Sequence, residues 1–288
     1  MGIHRLVIVI SIISIIASVI LIFTRGLNLG IDFSGGILIE ARLSEKTDLS
    51  KLHEILNKDE FGEITIQNFD ENDIIIRASN NKDENQGVVI KKIQAALSNS
   101  FSDVEYRKID FVGPQVGGEL IKSGLLALIT SCLFIMIYIW IRFDWQFGLG
   151  AIAALFHDAM LTFGFFALTG LEFNLTSIAA ILTIIGYSIN DSVVIYDRIR
   201  ENLRKFKKSD LSDLLNSSIN STLSRTVLTS GVTLVSIVAL IIFGGEALRS
   251  FSIATFFGII VGTYSSIYIS APILIYMDPR KKKEREKE

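Results

Sequence analysis

The chain has 288 residues, half of them apolar, and its mean hydropathy is +0.47, which excludes an ordinary soluble protein. The net charge of −2 is the balance of 28 basic and 30 acidic residues, so the positions of the charges matter more than their sum. A single cysteine, Cys132, excludes a disulfide framework and a cysteine-based zinc or iron–sulfur site. The three histidines are too scattered to indicate a metal cluster.

Six apolar stretches are long enough to cross a bilayer, which takes about 20 residues of helix. They lie at 3–23, 124–141, 147–169, 175–195, 226–243 and 251–275. The first stretch follows Arg5 but is longer than the apolar region of a secretory signal, so we interpret it as an anchor that stays.

The orientation of the spans follows from the basic residues in short loops, which resist translocation. Fifteen of them, including those of the tail at 276–288, fall on one side, whereas the short loops of the other side contain only Arg249. We therefore predict that both termini face the cytoplasm. The segment 196–225 reads as an amphipathic cytoplasmic surface helix whose basic residues suit anionic lipid headgroups. No aromatic platform accompanies this charge, which argues against a nucleic-acid partner.

The polar segment at 24–123 has the periodicity of a small α+β domain on the outer side of the membrane. Strand-like alternation occurs at 36–43, 64–69, 73–78 and 104–111, and helical spacing occurs at 48–58 and 88–97. The order β-α-β-β-α-β predicts a ferredoxin-like fold, with the polar run at 80–87 as an exposed loop.

Two glycine-rich segments flank this domain, at 30–36 and 113–118. Because glycine adopts backbone angles that other residues resist, the segments are either simple turns or a pair of hinges. The residues concerned are Gly30, Asp32, Gly35, Gly36, Gly113, Pro114, Gly117 and Gly118.

Two acidic residues fall inside predicted spans, where a carboxylate costs roughly 2.5–3.5 kcal/mol. Asp158 follows His157 in the third span and either makes a structural hydrogen bond or handles protons. Asp191 shares a helical stripe with Thr183, Tyr187 and Arg198. Arg225 begins the fifth span and is a plausible partner for Asp191, either in a static salt bridge or at a site poised to bind a proton.

The last span carries small residues at intervals of four, among them Gly258, Gly262 and Ser266. Small side chains at this spacing let helices approach closely, so we predict a packing face rather than a path for a ligand.

Four motifs carry a family resemblance over most of the chain. They are GIDFSGG at 30–36, VGPQVGGEL at 112–120, GLEFNLTSIAAILTIIGYSINDSVVIYDRIREN at 170–202 and SRTVLTS at 224–230. The sequence resembles the SecF family, the six-span subunits of the bacterial SecD–SecF complex that assists Sec protein export. The resemblance implies a resistance-nodulation-division type of membrane fold, an α-helical bundle of six spans with the ferredoxin-like domain between spans 1 and 2.

The resemblance also implies a function in preprotein transport rather than an enzymatic one. The family would work with SecD at the SecY–SecE–SecG translocon in the bacterial inner membrane, with YajC, translocating preproteins and membrane lipids as further partners. It would use the proton gradient, with no bound cofactor, to promote late translocation and release on the periplasmic side. Carried over by motif, the proton-linked residues are Asp191 and Arg225, with Asp158 a weaker assignment. A proton-coupled small-molecule exporter and a passive scaffold of the translocon remain alternatives.

Overall fold

A computed structural model describes residues 4–44, 48–56, 64–68, 72–78 and 86–279. By its contacts the chain divides into two compact units. The helical unit comprises Met1–Asn28 and Leu126–Glu288, and the sheet unit comprises Leu29–Leu125.

The sheet unit has four antiparallel strands and two helices that pack against one face. After a short helix α2 (Ile31–Ser34) come β1 (Gly36–Leu43), α3 (Leu49–Leu56), β2 (Ile64–Asn68), β3 (Asp73–Ala78), α4 (Gln86–Ser100) and β4 (Val104–Val112). The strand order is β2-β3-β1-β4, as in a ferredoxin-like fold. The register pairs Ile39 with Ile76 and with Ile109, and Ile66 with Ile76.

The core of this unit follows from the alternation of the strands. Every second residue of β1 points to the helices, and Ile39, Ile76, Leu52 and Ile93 are fully buried there. The predicted order of strands and helices is present. The predicted first helix, 48–58, is described as far as Leu56. Of the predicted loop at 80–87, Gln86 and Gly87 are described, and they belong to α4. The remaining residues of both predictions lie outside the described residues.

The helical unit contains the candidate membrane spans. Its helices are α1 (His4–Arg25), α5 (Pro114–Arg142, whose first residues belong to the sheet unit), α6 (Trp145–Thr169), α7 (Leu175–Lys205), α8 (Leu211–Phe243), α9 (Gly245–Ser265) and α10 (Ala271–Met277). A π-helical turn, Ser266–Ser270, joins α9 to α10. Among the described residues six helical stretches are long and apolar enough to span a membrane. The predicted fold class, six spans with a small α+β domain, is confirmed.

Helices α6, α7 and α9 form the centre of the unit, because each packs against the other two. Helix α1 packs on α6, and α8 packs on α7 and α9. Small residues such as Gly258 and Gly262 lie at the contact of α9 with α7, as expected for helices that associate within a bilayer.

The structure differs from the sequence prediction at 196–225. This segment is not a separate surface helix, since α7 continues to Lys205 and α8 begins at Leu211. The Asp210 carboxylate caps α8 by accepting hydrogen bonds from the backbone N–H groups of Ser212 and Asp213. Leu214 and Leu215 are buried against α5, α6, α7 and α10. Packing between helix ends therefore accounts for the buried leucines of this segment, and its contact with lipid headgroups stays a prediction. The basic tail at 280–288 lies outside the described residues.

Candidate functional site

Asp158 lies at the centre of a buried hydrogen-bond cluster formed by three helices. The residue is fully buried in α6. Its Oδ2 atom accepts hydrogen bonds from the hydroxyl of Ser188 on α7 at 2.6 Å and from the hydroxyl of Ser265 on α9 at 2.8 Å. Its Oδ1 atom lies 3.0 Å from Nδ1 of His157. Both carboxyl oxygens are thus engaged, which is what burial of this group in a membrane span requires.

The cluster extends toward α1 through an aromatic residue. The ring of Tyr264 lies beside the ring of His157, with 6.0 Å between their centroids. The Tyr264 hydroxyl is 2.9 Å from the hydroxyl of Ser11 on α1. The Nε2 atom of His157 is buried and has no hydrogen-bond partner among the described residues. Polar groups from α1, α6, α7 and α9 therefore meet inside an otherwise apolar bundle.

A second polar contact holds α7 nearer its C-terminal end. The hydroxyl of Tyr196, a fully buried side chain, hydrogen-bonds the hydroxyl of Ser270 in the π-helical turn. Gly150 of α6 makes room for this contact, because a Cβ there would overlap both the Tyr196 hydroxyl and the backbone of Ser270. A π-helical turn inside a span is uncommon and frequently marks a functional region.

Asp191 lies on α7 between these two contacts and differs from Asp158 in how it is held. It is only 3% exposed, and its Oδ2 atom has no hydrogen-bond partner among the described residues. Arg225 is exposed on α8 and acts on Asp191 electrostatically. No ion pair or hydrogen bond joins the two among the described residues. Their roles in proton coupling stay a prediction.

The predicted stripe on α7 passes through several environments. Thr183 is exposed and donates to the carbonyl of Ala179, whereas Tyr187 is half-buried and contacts Ser230 of α8 at 3.4 Å. Arg198 pairs with Glu201 at 2.7 Å. The stripe is therefore polar along its length, and Asp191 is its acidic residue that lies buried in the bundle.

Glycines set the close approach of α9 to α7. A Cβ at Gly258 would overlap the side chain of Ile184, and one at Gly262 would lie 3.0 Å from the Cβ of Ser188. The fully buried Ser266 donates its hydroxyl hydrogen to the carbonyl of Thr263. These residues lie where the sequence predicted a packing face.

The structure brings the two glycine-rich segments together within the sheet unit. Gly30 precedes α2, and Gly35 and Gly36 follow it with φ of +70° and +116°, angles that favour glycine. Asp32 is in the first turn of α2. A Cβ at Gly117 in α5 would lie 3.1 Å from the carbonyl oxygen of Phe33, whereas one at Gly118 would meet nothing within 4 Å. Gly113 and Pro114 connect β4 to α5.

The sequence did not point to the hydroxyl groups that hold the two contacts on α7. Ser188, Ser265, Tyr196 and Ser270 all lie in apolar spans, and three of them are small residues that read as packing positions. A signal was available in Ser188, which precedes Asp191 by three residues and so lies on nearly the same side of α7.

Two family models match the chain. The model described as "Protein export membrane protein SecD/SecF, C-terminal" matches residues 92–280, and the model described as "SecD/SecF GG Motif" matches residues 20–46. A relative from Rickettsia rickettsii (strain Sheila Smith), named protein translocase subunit SecF, is 56% identical over 273 residues, which is 93% of this chain and 89% of the relative. The chain belongs to the SecF family. A second SecF, from Rickettsia bellii (strain OSU 85-389), is 55% identical over 91% of this chain and 88% of its own length.

Solved structures agree with this family membership. The crystal structure of SecDF from Thermus thermophilus, described as a translocon-associated membrane protein, superposes with a TM-score of 0.87 at 36% identity. The match covers 96% of this SecF-family chain and 38% of the SecDF chain. A second structure, SecDF in a super-membrane-facing form, gives a TM-score of 0.72 at 36% identity and covers 100% of this chain and 40% of its own. The SecF-family chain thus spans well under half of the SecDF chains that it matches.

Proposed function

We propose that this chain is the SecF subunit of a bacterial preprotein translocase, and that it uses the proton-motive force to promote late translocation and release of preproteins. The names of its relatives support the translocase assignment. SecD is the proposed partner that supplies the second half of the membrane domain, since SecDF chains are much longer than this one. The SecY–SecE–SecG translocon, YajC, preproteins and membrane lipids complete the proposed set of partners.

The observation that carries the proton-coupling part of the proposal is the contrast between the two buried acids in the spans. A carboxyl group that exchanges protons needs an oxygen that donors do not already hold. Both oxygens of Asp158 have hydrogen-bond partners, whereas the buried Oδ2 atom of Asp191 has none within the described part of the chain. Asp191 is also the residue on which a cationic side chain, Arg225, acts from the neighbouring helix.

In the proposed mechanism, a proton taken up by Asp191 cancels its attraction to Arg225 and lets α7 and α8 shift against each other. One proton that crosses 100 mV releases about 2.3 kcal/mol. This is enough to bias helices between arrangements that differ by a few kcal/mol. We propose that this shift, passed to the domains outside the membrane, moves or releases the emerging preprotein.

The proposed location is the bacterial inner membrane, with both termini in the cytoplasm. The excess of basic residues at one end of the bundle supports this orientation. Arg142 and Arg200 lie at this end, where Arg142 pairs with Asp197 at 3.0 Å and Arg200 donates to the carbonyl of Arg142.

Preprotein release from inverted membrane vesicles tests the function. The vesicles are made from cells whose sole SecF is wild type, Asp191→Asn or Asp197→Asn, and release is measured with and without a proton gradient. Asp197→Asn is the matched control, because it makes the same change on α7 at a residue whose side chain is 47% exposed. We expect Asp191→Asn to reduce release with a gradient to the level seen without one, and Asp197→Asn to behave as wild type.

The outcomes separate this proposal from its alternatives. Full gradient-dependent release with Asp191→Asn contradicts the assignment of Asp191. Release that does not depend on the gradient even in wild type supports a passive scaffold. Gradient-driven efflux of small molecules, with no effect on preproteins, supports an exporter. Copurification with SecD confirms in each case that the variant assembles.

A further inference from the structure

We propose that Asp158 is a positioning residue, a fixed hydrogen-bond anchor that holds α7 through Ser188 and thereby sets the place of Asp191, and that it does not itself carry protons. The inference rests on the proposed function of Asp191. It gives the buried cluster around Asp158 a role of its own.

The first argument is that hydrogen-bond partners already engage both oxygens of the Asp158 carboxyl group. Two hydroxyl groups donate to Oδ2, from Ser188 at 2.6 Å and from Ser265 at 2.8 Å, and a hydroxyl can donate only one hydrogen at a time. The Oδ2 atom is therefore the acceptor through which Asp158 joins α6 to α7 and α9. A proton on Oδ2 would displace one of these two donors and so weaken a bond that joins α6 to α7 or α9, whereas Oδ1 faces His157 of the same helix.

The second argument concerns His157, the titratable group in contact with Asp158. With an ionised Asp158 as the acceptor, the imidazole hydrogen lies on Nδ1 of His157. The other nitrogen, Nε2, is buried without a partner among the described residues, so a second hydrogen there would have no acceptor among them. Tyr264 on α9 is the other titratable side chain that faces the imidazole, and its hydroxyl meets Ser11 of α1. His157 therefore orients the Asp158 carboxyl group through one hydrogen bond.

The third argument is that the anchor acts on the part of α7 that carries Asp191. Ser188 precedes Asp191 by three residues, less than one helical turn. Its side chain is enclosed by α9, since a Cβ at Gly262 would lie 3.0 Å from the Ser188 Cβ. Five residues beyond Asp191, Tyr196 is bonded to Ser270. Asp191 thus lies on a stretch of helix that is fixed at both ends, and the Asp158 cluster fixes one of them.

The test compares conservative and disruptive variants in the vesicle assay. In Asp158→Asn the amide oxygen still accepts from both serines. The amide N–H donates to Nδ1 of His157 when the imidazole hydrogen is on Nε2. We therefore expect Asp158→Asn to keep gradient-dependent release within about twofold of wild type. Asp158→Ala removes every acceptor and should lower it about tenfold or more, and Ser188→Ala, which removes one donor, should lower it about threefold.

Two results overturn the inference. If Asp158→Asn abolishes gradient-dependent release as Asp191→Asn does, while the complex with SecD still assembles, Asp158 carries protons. If both Asp158→Ala and Ser188→Ala release preprotein as wild type does, the cluster does not position Asp191. Should Asp158→Ala fail to assemble, Ser188→Ala and Asp158→Asn decide the question. Failure of the proposed function would show instead as release that does not depend on the gradient in wild type, or as full gradient-dependent release by Asp191→Asn.

Discussion

Asp73, Asp158 and Asp191 are the buried acids among the described residues, and their surroundings differ in kind. Asp73 is held by two arginines and Asp158 by two serines and a histidine, whereas no described side chain hydrogen-bonds Oδ2 of Asp191. A buried carboxylate costs little when donors satisfy it and much when they do not. In the roles that we propose, Asp73 stabilises the sheet, Asp158 anchors the helices and Asp191 exchanges a proton.

The arginine pair at Asp73 depends on an irregularity in the sheet. The register of β1 and β4 shifts between Glu40 and Ala41, which leaves Arg107 as an extra residue of β4 without a paired residue on β1. Arg107 then reaches Oδ2 of Asp73 at 2.9 Å, while Arg42 binds both carboxylate oxygens at 2.8 and 3.0 Å. The bidentate Arg42 bond, more than the charge of Arg107, holds the pKa of Asp73 below its ordinary value despite its burial.

Asp73→Asn should destabilise the sheet by roughly 1–3 kcal/mol near neutral pH, with the half-exposed arginines favouring the lower end. A lowered folded-state pKa means that the contribution is complete above the ordinary pKa of aspartate. It is lost as the pH falls through the lower, folded-state value. Hydrogen exchange of the β1 and β3 amides in the full chain measures the effect. Asp110→Asn is the control, because its pair with Lys108 is exposed on both sides. Equal protection in Asp73→Asn and wild type would contradict the prediction.

At the scale of elements, the contact of α7 with α9 depends on the absence of a side chain at Gly258. We expect Gly258→Ala to lower the thermal unfolding midpoint of the purified protein, because its Cβ overlaps the buried Ile184 and overpacking costs about 1–3 kcal/mol. Ile184→Ala in the same chain should restore much of the loss. Gly186→Ala is the control on α7, since a Cβ there meets nothing within 4 Å. Equal midpoints for Gly258→Ala and Gly186→Ala would contradict the account of this contact.

Elements long enough to repeat their hydrophobic pattern could be predicted from the sequence, and short elements could not. The strands and the spans each repeat their pattern several times, so alternation and apolar length identified them. Helix α2 and the π-helical turn have only four and five residues, too few to show a period. At 196–225 the apolar pattern was correct, but the prediction of a separate helix was wrong. Leu214 and Leu215 face other helices, and sequence periodicity does not distinguish a protein neighbour from lipid.

The candidate site shows the same limit for contacts between distant residues. Asp158 and Asp191 stood out because an acid in an apolar span is costly. The serines that hold Asp158 are 30 and 107 residues away along the chain, and spacing carries no information about such pairs. Only the folded bundle shows that one acid is fully hydrogen-bonded and the other is not.

At the scale of the whole molecule, the two units contain different parts of the proposed machinery. The helical unit holds Asp158 and Asp191, and the sheet unit holds both glycine-rich segments, where Gly117 lies against α2. The chain matches less than half of the SecDF chains, so we expect it to act only in a complex with SecD.

Infrared difference spectroscopy of the reconstituted SecD–SecF complex tests the central claim most directly, because the C=O stretch of a carboxyl group reports its protonation. Spectra are recorded across a pH titration for wild type, Asp191→Asn, Asp158→Asn and Asp197→Asn. We expect a protonated-carboxyl band that titrates in wild type, persists in Asp158→Asn and Asp197→Asn, and is missing in Asp191→Asn. A band that persists unchanged in Asp191→Asn, or that disappears only in Asp158→Asn, would contradict the account.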